Sequence, residues 1–148
     1  MMPAARLAMA LAAGALLAGA TPPHNGQVAV TVTDLRSTKG VVHACMTTSP
    51  KAFLKCEQDP ASYRATVPAG KRVELLFDDV KPGRYAVAVL HDENDNGKAD
   101  RVMGMMPKEG FGFSRDAPVR MGPPKFGDAA FDYAGEARVL TIRMRYMF

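Results

Sequence analysis

The sequence has no tryptophan, and only two of its 148 residues are cysteine. Aromatic residues make up 7% of it, and its lysines and arginines are scattered rather than run together. A nucleic-acid-binding surface, which needs a basic stripe with aromatic platforms, is therefore unsupported. No G-x-S-x-G elbow is present, so the local signature of a hydrolase of that kind is missing. There is no internal repeat, no segment of long helical period, and beyond residue 20 no apolar run of the ~20 residues that a spanning helix needs.

The first twenty residues are different in kind. A single positive charge at Arg6 precedes an apolar run from Leu7 to Ala18, and the stretch closes on Ala18-Gly19-Ala20, the small-x-small pattern of a secretory cleavage site. The run is too short for a membrane anchor and is interrupted by Gly14. The reading is a signal peptide over residues 1–20 and export to the periplasm or beyond. No cysteine follows the cleavage site to take a lipid anchor, and no later segment spans a membrane as a helix. Removing 20 of the 148 residues leaves 128, a usual size for one domain, and losing Arg6 lowers the net charge from +4 to +3. Residues 21–148 are thus read as one domain.

Export carries Cys45 and Cys56 into an oxidising compartment, where a bridge between them is the default. Closing a loop of this length contributes about 3 kcal/mol in the chain-entropy model. A rival reading makes Cys45 a nucleophile assisted by His43, two residues away on the same strand face.

The rest reads as short strands between Gly and Pro turns. Val28, Val30 and Val32 alternate with Ala29, Thr31 and Thr33 in a half-buried strand over residues 27–35, and residues 41–47 form a second that returns as a hairpin. Ser49-Pro50 opens a helical turn leading to Cys56. Residues 63–67 and 72–77 are further strands, and Lys81-Pro82-Gly83 is a tight turn. It feeds Tyr85–Leu90, apolar on both faces and so a central strand. A Gly-, Met- and Phe-rich coil follows Asp100, with Phe111 and Phe113 packed back over the end of the fold. A brief helical turn over 125–130, a strand at 131–133 and an alternating final strand through Leu140, Ile142, Met144 and Tyr146 complete the chain. About seven strands predict an all-β, single antiparallel β-sandwich, immunoglobulin- or transthyretin-like, with Greek-key connections. An outer-membrane barrel needs more and longer alternating strands than this chain offers.

The chemistry concentrates after Leu90. Asp92, Asn94, Asn96, the Lys98 carbonyl and Asp100, with Gly97 at the corner, repeat the spacing with which a chain wraps calcium. Met103 stands where an EF-hand has its bidentate Glu, and no helices flank the loop, so this is not an EF-hand. Glu93 and Asp95 alternate outward from the ligand set, either solvated or completing the shell from a neighbouring coil, and Glu109 or Asp128 is a further candidate for it. The competing reading is an Asx-rich turn that needs no metal, with Asn96-Gly97 as its corner. Met103, Met105, Met106 and Met121 with His91 offer a soft, copper-type donor set, although such methionines more often fill core gaps.

Four motifs in order carry a family resemblance: Pro82-Gly83-x-Tyr85-Ala86-Val87-x-Val89; His91-Asp92-Glu93-Asn94-x-Asn96-Gly97-Lys98-x-Asp100; Pro107-Lys108-Glu109-Gly110-Phe111-Gly112-Phe113-Ser114; and Pro123-Pro124-x-Phe126-x-Asp128-Ala129-Ala130-Phe131. Together they resemble DUF2141, an exported bacterial family. The resemblance implies an exported all-β domain of about this length with no established activity. Asp95 stands where the family commonly has Gly, and the cysteines are not carried over from it. The functional expectation is a binding or interaction module for a protein or envelope ligand, with a calcium-supported loop. The alternatives are an envelope enzyme using loop carboxylates and a structural domain without metal. Donor oxygens converging on one point would favour the module, and two facing carboxylates in a cleft would favour the enzyme.

Overall fold

The computed structural model describes residues 21–95, 101–102, 106–107 and 109–147, with backbone alone at 101–102 and 106–107. The proposed leader over residues 1–20 lies outside the described residues, as do Asn96, Lys98 and Asp100.

Among the described residues ten strands form: β1 (Val28–Thr33), β2 (Val41–Thr47), β3 (Tyr63–Pro68), β4 (Val73–Phe77), β5 (Gly83–Asp92), β6 (Arg101–Val102), β7 (Met106–Pro107), β8 (Gly110–Phe113), β9 (Phe131–Tyr133) and β10 (Arg138–Arg143). One sheet runs β10-β1-β4, and the other runs β3-β2-β5-β8 with β9 also on β5; β6 and β7 pair with each other. The result is an all-β sandwich rather than a single barrel sheet. All pairings are antiparallel except β1 with β10, which is parallel.

Two expectations about pairing are corrected. β1 and β2 do not form a hairpin: the chain between them crosses from one sheet to the other, and β1 finds its partners in β4 and β10. The stretch after Glu109 is not coil, because residues 110–113 pair in register with His91 to Ala88 of β5. Phe111 and Phe113 are buried, as expected of them.

The core follows from period two. Val42, Ala44 and Met46 of β2, Val73, Leu75 and Phe77 of β4, and Val87 and Val89 of β5 turn inward against Val28, Val30, Val32 and Ile142. β5 is apolar on its other face as well, since Ala86 lies under a second cluster of Phe53, Phe111, Phe113, Ala117 and Ala129. That cluster is held by the 3-10 segment Phe53–Gln58, which the Cys45–Cys56 disulfide ties to β2 with a Cα separation of 5.9 Å. The nucleophile reading of Cys45 is thereby excluded. The small helix α1 (Phe126–Ala129) lies where a helical turn was expected.

Beyond Arg143 the chain carries β10 across to the other sheet. The Phe111 and Arg145 backbones exchange hydrogen bonds of 3.0 and 2.9 Å, which fastens β8 to the tail of β10. Gly112 permits this approach, since a Cβ there would lie 2.6 Å from Cγ2 of Ile142.

Candidate functional site

β5 runs two residues further than its apolar pattern indicates, so His91 and Asp92 belong to the strand rather than the loop. Alternation then sends them to opposite faces, and both are fully buried. Each founds a polar cluster at this end of the sandwich.

On the inner side, His91 Nε2 lies 2.7 Å from the Lys39 carbonyl and Nδ1 lies 2.7 Å from the Tyr146 hydroxyl. A carbonyl can only accept, so Nε2 donates to Lys39 and the Tyr146 hydroxyl donates to Nδ1. Tyr146 in turn accepts the Arg36 backbone N–H at 3.2 Å. Both His91 nitrogens are thus engaged, and Met103 and Met105 of the copper-type set read with it lie outside the described residues. Met121, of that set, is fully exposed.

Arg36 stacks over the Tyr146 ring at 4.6 Å and bonds Glu93 through Nε at 2.9 Å, while the Ser37 hydroxyl donates to the other Glu93 oxygen at 2.7 Å. The Arg36 hydrogen bonds hold the Glu93 carboxyl below its ordinary range, against an opposing effect of burial. Glu93 is thus an anchor that fixes the loop to the β1–β2 crossover. Gly40 makes room beside it: its φ is +70°, and a Cβ there would collide with the Asp92 carbonyl.

On the outer side, the register Val41↔Asp92 and His43↔Leu90 puts His43 diagonal to Asp92, and His43↔Thr66 puts it directly opposite Thr66. His43 Nε2 is 3.1 Å from Oδ2 of Asp92, and its Nδ1 is 2.8 Å from the Thr66 hydroxyl. For a neutral imidazole this means that Nε2 donates to the carboxylate while Thr66 donates to Nδ1. The turn after β5 brings in a third group. Asp95 donates its N–H to the Asp92 carbonyl at 3.3 Å, has a φ of +51°, and swings its carboxylate back toward the strand. One ring nitrogen of His43 and one oxygen each of Asp92 and Asp95 lie within 4.8 Å of one another.

Of the five oxygen donors expected, Asp92 and Asn94 fall among the described residues, Asp92 buried and Asn94 exposed. His43 and Asp95 were not among them. Neither follows from local spacing, since His43 reaches Asp92 only through strand register and Asp95 only through its turn. Glu109 is 4% exposed.

The profile of a family described as an uncharacterized protein conserved in bacteria, DUF2141, matches residues 30–141. The chain belongs to this family. The DUF2141 match runs from β1 into β10 and so takes in His43, Thr66, Asp92 and Asp95. No curated protein and no solved structure matches. Among the described residues, no helix is long and apolar enough to cross a membrane.

Proposed function

We propose that this DUF2141 protein is an exported binding module in which a calcium ion organises the loop after β5 as part of a ligand-binding end. The proximity of the Asp92 and Asp95 carboxylates to each other, beside His43, supports this reading. Asp92 and Asp95 supply carboxylates, and Asn94, Asn96, the Lys98 carbonyl and Asp100 supply further oxygens from the loop. His43 acts behind the metal: it bonds one oxygen of Asp92 and is itself held by Thr66, the outer-shell arrangement that orients ligating carboxylates. The disulfide is in keeping with an oxidising destination, and the leader-like residues 1–20 supply the route.

Melting curves of the mature protein in chelator and in millimolar calcium test the proposal. Ligand binding to the native state raises stability by about 1.4 kcal/mol at ten times Kd. Asp92→Asn and Asp95→Asn should each remove the increment. Superimposed wild-type curves would reduce the loop to an Asx turn.

A second reading takes its support from the imidazole, a donor that suits borderline metals better than calcium. Zinc would take His43 Nε2 directly. In that case zinc raises the melting temperature where calcium does not, and His43→Ala abolishes the effect.

A further inference from the structure

The opposite end of the sandwich holds a groove of about 810 Å³, within the size range of small-ligand sites. It lies between the Ser49–Leu54 excursion, the first residues of β5 and the segment before α1. Its floor is apolar. Phe53 packs at 5.6 Å from Phe113 and 6.0 Å edge-on to Phe126, both centroid to centroid, and Leu54 beside them remains 52% exposed.

The rim is cationic. Lys51, Arg84 and Lys125 line it, and none of the three makes an ion pair within 4.0 Å among the described residues. The groove continues past Lys125 into a second one of about 520 Å³ that adds Arg115 and Arg120. Among the described residues the first groove is lined by no acid and the second by Asp128, which accepts the Lys125 backbone N–H at 3.1 Å.

We infer that this groove binds a single-chain anionic amphiphile, its acyl chain on Phe53, Leu54 and Phe126 and its acidic head among Lys51, Arg84 and Lys125. Charge decides the head group, because an unpaired cationic rim over an apolar floor attracts a negative end and not a positive one. Hydrogen bonding decides the body. Pro50, Pro123 and Pro124 line the groove and have no N–H, so a bound peptide would lose water from carbonyls that these residues cannot satisfy. A hydrocarbon chain makes no such demand.

Calorimetric titration of the mature protein, with chelator present to keep the opposite end out of the measurement, tests this. Dodecanoate below its micellar concentration should bind at one site per chain, and dodecylammonium should not. Combining Lys51→Glu, Arg84→Glu and Lys125→Glu should weaken dodecanoate at least about tenfold, the sum expected of three exposed charge contacts. Leu54→Asp should weaken it as well, and both variants, altered on the surface, should melt as the wild type does. Equal binding of the two amphiphiles, undiminished affinity in the charge variant, or no binding of dodecanoate would overturn the inference. Displacement of dodecanoate by oligo-glutamate would also overturn it, in favour of an acidic peptide.

Discussion

Asp92, with no exposed surface, lies 3.1 Å from a histidine 49 residues away in sequence, His43, whose own side chain is one-third exposed. His43 therefore connects a buried carboxylate to the surface. Removing it by His43→Ala takes one hydrogen-bond donor from a buried carboxylate and should cost about 1–3 kcal/mol. Thr66→Val, which deletes only the outer hydrogen bond, should cost less, about 0.5–1.5 kcal/mol. Urea midpoints at unchanged slope measure both, and equal losses would contradict the ordering from Thr66 through His43 to Asp92.

Acid should release the loop anchor. The Glu93 carboxyl is held below its ordinary range by the Arg36 hydrogen bonds, so its contribution is present above the unfolded glutamate value and is lost as pH falls through the lowered folded one. Glu93→Gln should be less stable than wild type at neutral pH, and the gap should close on acidification. A gap constant down to the acid limb would show that the charge is not what Arg36 reads.

At alkaline pH the tyrosines take over. Burial, with Tyr63 adding to it, pushes the Tyr85 hydroxyl up to about 12, and burial raises Tyr133 in the same direction. A raised folded value stabilises below the unfolded one near 10 and is lost as pH climbs toward the folded one. Unfolding should therefore begin above about pH 10. With four tyrosines and no tryptophan, tyrosinate absorbance reads it directly. In Tyr85→Phe the late-titrating component should shrink by one tyrosine, with Tyr133 still contributing to it.

Ser114 supplies a prediction for the second cluster. Its buried hydroxyl accepts the Val87 N–H at 2.9 Å and donates to the Ala129 carbonyl at 2.6 Å, continuing the ladder where β8 stops. Ser114→Ala should cost about 1–3 kcal/mol for each group it orphans. Hydrogen exchange at the Val87 amide should accelerate ahead of its β5 neighbours.

Much of the fold was legible because alternation survives wherever one face is wet. β2, β4 and β9 formed where the pattern placed them, and β10 kept its buried Ile142 against exposed Thr141 and Arg143, with Met144 buried just past its end. β8 was not legible. Gly110 and Gly112 depress strand propensity, yet they are what allows Ile142 and Tyr146 to lie against that strand. The β1–β2 hairpin failed for another reason: a connection seven residues long through Gly40 serves equally for a hairpin or for a change of sheet, and only the partners of β1 decide. At the loop, the oxygen spacing drew attention to Asp92, while His43 became visible only once β2 and β5 were in register.

The parallel match of Val28 with Arg138 sets an order of events for the growing chain. β1 emerges early, but the strand that flanks it on one side is among the last to be made. Until then its Val28–Thr33 backbone has β4 alone for a partner, and the smaller sheet stays a two-stranded ribbon, marginal by itself in water. Completion of the fold is consequently a post-synthetic step dominated by contacts distant in sequence, which makes it slow.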